Sequence, residues 1–394
     1  MIKHIFKLIW NKRKNNTLII VELFLSFLIL FAVLTFMYNS VDKLFTPLGF
    51  ETKDHWIINQ SYTNDSTTLA DNNISLKTSL NELSEVEEVA FGNSARPFSG
   101  YTWQTSIDYK GMEIQYKLLE CDENFVKTMG LKIIEGRWFN ETDAEYTYKP
   151  IVITRDFRDN YFQGKSLIDS ILPLGEENAE GVAEEYKIIG VSEEYKYEGE
   201  FAKSYPKIFF YLPKTNQKAK TIYLAMKENT PATYEEQVND VLTSITKSNS
   251  GIILNLENLR KSDSREKWIP IIALLIICGF LCLNIALGLY GVLWYSISQR
   301  RGEIGLRSAL GADKGSITKQ FVLEILFVSL IGIMAGVFFA VQFPILKVFP
   351  VESKFYYYAI FTAISFLLGL VTLCAIYPSM QAARINPADA LHED

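Results

Sequence analysis

Residues able to do chemistry are sparse in this sequence. His4, His55 and His392 are too scattered to match any metal-ligand spacing. Gly164-Lys165-Ser166 looks like the tail of a phosphate-binding loop, but Asp159 stands where that loop needs its first glycine. GxSxG, HExxH and paired-cysteine patterns are missing as well. No catalytic residue, no metal and no cofactor is therefore expected on this chain. Any work it does must draw its chemical energy from another chain. Cys278, Cys282 and Cys374 fall in apolar runs, and Cys121 stands alone in a polar region, so no internal disulfide is expected there.

The stretch that concentrates readable signals is 298–320, SQRRGEIGLRSALGADKGSITKQ. Ile304, Leu306, Ala309 and Leu310 give a short amphipathic helix, ended by Gly311, with Glu303 and Arg307 spaced to pair across one turn. A short helix held off a membrane by two spans suits docking into a groove on a cytoplasmic partner. A basic loop that merely sets topology is the alternative.

Four apolar runs must position that loop: Thr17–Tyr38, Trp268–Ile297, Phe321–Phe343 and Phe355–Tyr377. A helix of about 22 residues rises roughly 33 Å, enough for the hydrocarbon core. The runs are apolar all round, unlike helices on the surface of a soluble core. The first is too long for a cleavable signal peptide and lacks a small-x-small site. Five basic residues precede it, and Arg300, Arg301, Arg307, Lys314 and Lys319 lie between the second and third runs. Only Lys347 and Lys354 lie between the third and fourth. The Lys/Arg bias then places the N-terminus, the 298–320 loop and the C-terminus in the cytoplasm, and 39–267 and 344–354 outside. Residues 2–14 read as an interfacial helix on anionic lipid, with a plain charged tail as the alternative.

Within the spans, Gly332 and Gly336 form GxxxG, and Gly288 and Gly291 lie on the second run; both permit helix packing or a dimer contact. Glu22 and Glu324 are ion-path candidates by default, but each lies near the cytoplasmic face, where snorkelling to water is the plainer reading. Asn284 is expected to bond a neighbouring helix.

The 39–267 region holds 26 basic and 37 acidic residues, a net charge of −11, which argues against a nucleic-acid partner. Its pattern reads as mixed α/β. Strands are expected at His55–Tyr62, Val86–Phe91, Thr221–Met226 and Gly251–Leu256, with helices at Asn73–Leu83 and Pro231–Ile245. These make two βαβ units expected to pack together beside the membrane. The segment 92–213 is an insertion with short strands at Tyr101–Tyr109, Glu113–Leu119, Ile151–Thr154, Tyr186–Val191 and Lys207–Tyr211, and an acidic loop at Glu176–Glu185.

Six segments resemble one family. NKRKNNTLII resembles its basic entry to the first span, and LNELSEVEEVAFG (80–92) its helix–strand signature. LLECDENFVKTMGLKIIEGRWFNETD (118–143) carries its Gly-Arg-x-Phe at Gly136, Arg137 and Phe139. YKIIGVSEEYKYEGEF (186–201) is similar to its strand and loop. QRRGEIGLRSALGADKGSITKQFVLE (299–324) and YPSMQAARINPADALHED (377–394) are the specific matches. On these the chain resembles the MacB/FtsX-type permeases of ABC transporters, also called type VII or mechanotransmission systems.

The resemblance implies an α-helical membrane protein with four transmembrane helices and a large α/β periplasmic domain. That domain would have a porter part, about 50–91 and 214–262, and an inserted sabre part, about 92–213. It implies a bacterial inner-membrane location. It implies a permease-only chain paired with a second permease copy and two ATPase subunits, which carry the ATP and Mg. Arg300, Arg301, Glu303, Ile304, Leu306, Arg307, Leu310 and Gly311 would couple to the ATPase, with Glu303, Arg307 and Gly311 at matching positions. A periplasmic adaptor and an outer-membrane channel are further partners of the exporter branch. Export of a peptide, drug or lipid-linked cargo is the leading expectation. Lipoprotein release follows, then regulation of cell-wall hydrolases; a membrane sensor or receptor is a different class, and a membrane enzyme is the weakest.

Overall fold

The structure is a computed structural model that describes residues 13–60, 66–93, 96–100, 104–145, 148–174, 184–213, 219–246 and 251–384. The interfacial helix expected at 2–14 lies almost wholly outside the described residues, as do most of the 176–185 loop and the last ten residues of the C-terminal motif. Two compact units emerge, 43–267 and the combination of 1–42 with 268–394.

The chain enters on helix α1 (Arg13–Phe45) and then builds the α/β unit. Its first elements are β1 (His55–Gln60), α2 (Ser66–Asn81) and β2 (Val86–Gly92). Next come β3 (Gln104–Tyr109), β4 (Met112–Cys121), α3 (Phe125–Thr128), β5 (Ile133–Gly136), β6 (Lys149–Thr154), α4 (Arg155–Phe162) and β7 (Ile171–Pro173). The unit closes with β8 (Glu185–Ser192), β9 (Lys207–Tyr211), β10 (Thr221–Met226), α5 (Glu235–Thr246) and β11 (Gly251–Asn255).

Among the described residues one sheet carries all eleven strands in the order β11-β1-β10-β2-β4-β9-β6-β8-β5, with β3 on β4 and β7 on β8. The two βαβ units do pack together, but they interleave. β10 inserts antiparallel between β1 and β2, so each unit is a split β-α-β with a strand of the other inside it. Strand alternation then sorts the side chains. Ile58, Val89, Ile222 and Leu224 face Leu76, Leu80, Val238 and Leu242 of α2 and α5. Ile57, Ala90 and Tyr223 face the opposite way, onto Phe125, Tyr195 and Leu256. Both faces are covered, so β10 is buried along its whole length and apolar from Ile222 onward.

The insertion supplies the other half of the sheet. Its strands β4, β9, β6 and β8 alternate parallel and antiparallel pairings. The halves meet where β2 and β4 pair at one position, Gly92 with Cys121. A side chain on Gly92 would approach the Glu120 carbonyl to 2.9 Å, so the joint requires glycine.

The remaining helices are α6 (Leu256–Gln299), α7 (Arg301–Ala309), α8 (Lys314–Ala340), α9 (Gln342–Leu346) and α10 (Ser353–Ala382). Among the described residues four helices, α1, α6, the α8–α9 stretch and α10, are long and apolar enough to cross a membrane. Helix α6 starts well before its apolar run, in the polar sequence LENLRKSDSREK. In the helical unit, Leu23, Phe27 and Phe31 of α1 share a core with Ile285 and Leu289 of α6, Ile325 and Val328 of α8, and Ala359, Ala363 and Leu367 of α10.

Candidate functional site

The site is built around α7. After α6 ends at Gln299, the Ile304 amide bonds the Arg300 carbonyl at 2.9 Å and starts the short helix. Gly311 ends it with φ +89°, a left-handed value that glycine adopts without strain, and the Ala312 amide reaches back to the Arg307 carbonyl at 3.0 Å. Asp313 then caps α8 by accepting from the Gly315 amide at 3.1 Å. One face of α7 is closed off: Ile304 is buried with Ile297, Ile317, Phe321, Ala382 and Ala383. The other is open. Leu306 is 53% exposed and Leu310 80% exposed, one turn apart on the same face.

Two arginines fasten this helix. Arg300 makes a two-pronged ion pair with Glu324 of α8, at 2.8 and 3.0 Å, and both side chains are nearly covered. The guanidinium lies 6.0 Å from the Phe321 ring centre. Glu324 therefore does not snorkel to water; it is held by an arginine 24 positions away. Arg300 likewise points inward instead of lining an open docking face. Arg307 bonds Glu303 at 2.6 Å, the expected one-turn pair, and also Gln320 of α8 at 2.8 Å. Arg301 and Glu303 are exposed.

The glycines divide. A side chain on Gly332 would come within 2.7 Å of the Ile20 carbonyl, and one on Gly336 would strike the Phe27 ring, so both serve the close approach of α8 to α1 within the chain. Gly288 faces the Glu22 carboxylate, which a side chain there would meet at 2.8 Å; Gly291 is open. Asn284 does not bond another helix: its amide donates to the Phe280 carbonyl of its own helix at 2.9 Å.

The leads set aside from the sequence have structural places. His55 sits between the Lys53 and Thr128 carbonyls, at 2.6 and 2.7 Å. Gly164-Lys165-Ser166 follows α4 instead of opening a helix, so it presents no helix N-terminus to a phosphate. Among the described residues no cluster of three or more His, Cys, Asp or Glu side chains could hold a metal ion.

With this geometry in hand, two family models match the sequence. The MacB-like periplasmic core domain covers residues 20–241, more than half of the chain, and the FtsX-like permease C-terminal region covers 271–387. The chain belongs to the MacB/FtsX-type ABC-transporter permeases. Similar curated proteins include the macrolide export ATP-binding/permease protein MacB 1/2 of Paracoccus denitrificans, 25% identical over 73% of this chain and 43% of that protein. MacB 2 of Aeromonas hydrophila is 27% identical over 72% and 44%. The chain thus spans less than half the length of the curated relatives it matches. Among solved structures, the periplasmic region of MacB from Actinobacillus actinomycetemcomitans aligns with 56% of this chain and 97% of its own, at 14% identity and TM-score 0.38. The extracellular domain of the transporter YknZ from Gram-positive bacteria aligns with 51% and 100%, at 11% identity and TM-score 0.35. As a member of the MacB/FtsX-type family, the protein combines four apolar helices with a large α/β domain of periplasmic type, a combination that fits the bacterial inner membrane. Helix α7 falls inside the FtsX-like permease region.

Proposed function

We propose that this chain is the non-catalytic permease subunit of an ABC exporter. Two copies would work with two ATPase subunits that bind ATP and Mg, and hydrolysis there would move the α/β domains to drive out a peptide, drug or lipid-linked cargo. The N-terminus, α7 and the C-terminus would face the cytoplasm, as the Lys/Arg bias of the loops favours. A periplasmic adaptor and an outer-membrane channel would complete the path.

One observation carries this reading. Helix α7 is fixed at both ends to α8 by Arg300 and Arg307, yet it leaves Leu306 and Leu310 uncovered. A rigid helix with two bare leucines matches the helix-in-groove mode of docking. Being rigid, it would pass force to α8 instead of yielding to it.

The test is co-purification with the ABC ATPase chains of the same genome. The wild-type chain should retain one of them and change its ATP hydrolysis. Leu306→Asp, at an exposed position, should weaken retention about thirtyfold or more, the loss typical of a central apolar anchor. Retention unchanged by Leu306→Asp and Leu310→Asp together, or ATP hydrolysis by the purified chain alone, would refute the assignment.

A further inference from the structure

A second feature lies at the α7 end of the helical unit and plays no part in that docking face. Between the first turns of α8 and the last turns of α10 runs an open trough of about 590 Å³. Val322 and Leu323 of α8 and Ile376 of α10 form its apolar part, and Lys314, Lys319 and Arg384 stand around it. All three cations are exposed. Among the described residues none has a carboxylate partner, whereas Arg300 and Arg307 close by are both engaged. The two threonine hydroxyls that line the trough are turned onto backbone, Thr318 3.0 Å from the Lys314 carbonyl and Thr372 2.7 Å from the Leu368 carbonyl.

Charge and apolar surface are thus separated along one trough. Three cations sit where α8 and α10 leave their apolar runs, and the apolar part continues into the runs themselves. A small anion such as phosphate would answer the cations and leave the apolar part bare. An apolar protein segment would do the reverse. A molecule with a phosphate at one end and an acyl chain at the other answers both, and the bilayer supplies it at this depth. We propose that this trough is a binding site for an anionic phospholipid, its phosphate among Lys314, Lys319 and Arg384 and one chain laid along Val322, Leu323 and Ile376. The site rests on α8 and α10 crossing a membrane and is independent of the ATPase reading.

The experiment uses the intact chain, purified in detergent, stripped of lipid and titrated with phosphatidylglycerol or phosphatidylcholine under native mass spectrometry. Phosphatidylglycerol should be retained at least tenfold better. Each of Lys314→Gln, Lys319→Gln and Arg384→Gln should reduce its retention about fivefold, and the three together should bring the two lipids level. Ile376→Trp, which fills the trough without touching charge, should lower phosphatidylglycerol retention while leaving the three cations in place; it keeps the test open if the triple variant does not fold. Equal retention of both lipids by the wild type would overturn the proposal. So would displacement of bound lipid by glycerol phosphate alone, which would mark a simple anion site.

Discussion

The helical unit and the α/β unit bury charge by opposite rules. In the helical unit the contacts are apolar and close: Phe27 on Gly336, Phe24 on Phe339, Phe31 on Phe343 and Tyr356. Several of its hydroxyls turn back on their own helices, as Thr35 does to Phe31 and Ser329 to Ile325, while Tyr38 of α1 and Thr362 of α10 pair across two helices at 2.9 Å. Arg300 and Glu324 form its covered ion pair, and that pair sits where α7 must be held. The α/β unit distributes buried charge. Glu198 bridges Lys117 at 2.7 Å and Lys207 at 3.2 Å, all nearly inaccessible to water. Lys196 donates to the Lys43 and Glu200 carbonyls at 2.8 and 2.9 Å. Lys77 meets Asp122 at 2.9 Å. Lipid offers no relief to a misplaced charge, so a membrane bundle keeps one only where geometry must be fixed. A water-facing domain can carry several, provided each finds partners.

The contrast predicts that breaking this pair costs more than altering Asp122 in the domain. Glu324→Ala leaves Arg300 covered and unpaired, and should destabilise the helical unit by about 3–5 kcal/mol. Replacing both partners with apolar residues, Arg300→Met with Glu324→Leu, should recover most of that loss. Thermal unfolding of the detergent-solubilised chain, with limited proteolysis around α7, reads both. If the double variant is as weak as the single one, the pair supplies more than charge balance.

In the domain the expected effect is smaller and depends on pH. Burial, partly offset by Lys77, pushes the Asp122 carboxyl up from 3.8 to about 6. A carboxyl whose pKa is raised on folding adds stability when protonated, below about pH 4, and that contribution is lost as pH rises through 6. Asp122→Asn cannot ionise and leaves Lys77 its contact with Glu123 at 3.1 Å. The advantage of the variant should therefore grow from near zero at pH 4 to about 3 kcal/mol at pH 7.5. Native-state hydrogen exchange of the β2 and β4 amides measures it. A difference that stays constant across that range would assign the effect to packing instead of ionisation.

What was legible in the sequence follows the range of the forces involved. The apolar runs show the four spans, because lipid demands a local and continuous pattern. Lys207–Tyr211 and Thr221–Met226 read directly as β9 and β10, because strands covered on both faces carry unbroken apolar runs, here from Ile208 and from Ile222. β5 and β7 were not visible: Ile133–Gly136 and Ile171–Pro173 are short, and pairing with β8 makes them strands. α4 was missed for the opposite reason, since RDFRDNYF is polar apart from its aromatic rings. The insertion of β10 between β1 and β2 is a long-range choice that no window of sequence records. Within the candidate site, Glu303–Arg307 was readable at one turn's spacing. Arg300–Glu324 was not, although an arginine just after one apolar run and a glutamate just inside the next are the two charges that a helical hairpin brings together.

The smallest expected effect tests whether α7 is held by its ends or only by its pairs. Nothing lies within 4 Å of where a Gly311 side chain would go, so space does not exclude alanine there. The φ of +89° does disfavour it, at about 1–2 kcal/mol. Because that cost falls on the turn alone, Gly311→Ala should leave the midpoint for global unfolding nearly unchanged. It should instead raise the exchange rate of the Leu310 and Ala312 amides, which bond back to Leu306 and Arg307, by about tenfold. If exchange rises equally along α8, the turn and the ion pair act as one clamp, and the Arg300–Glu324 pair does not hold α7 by itself.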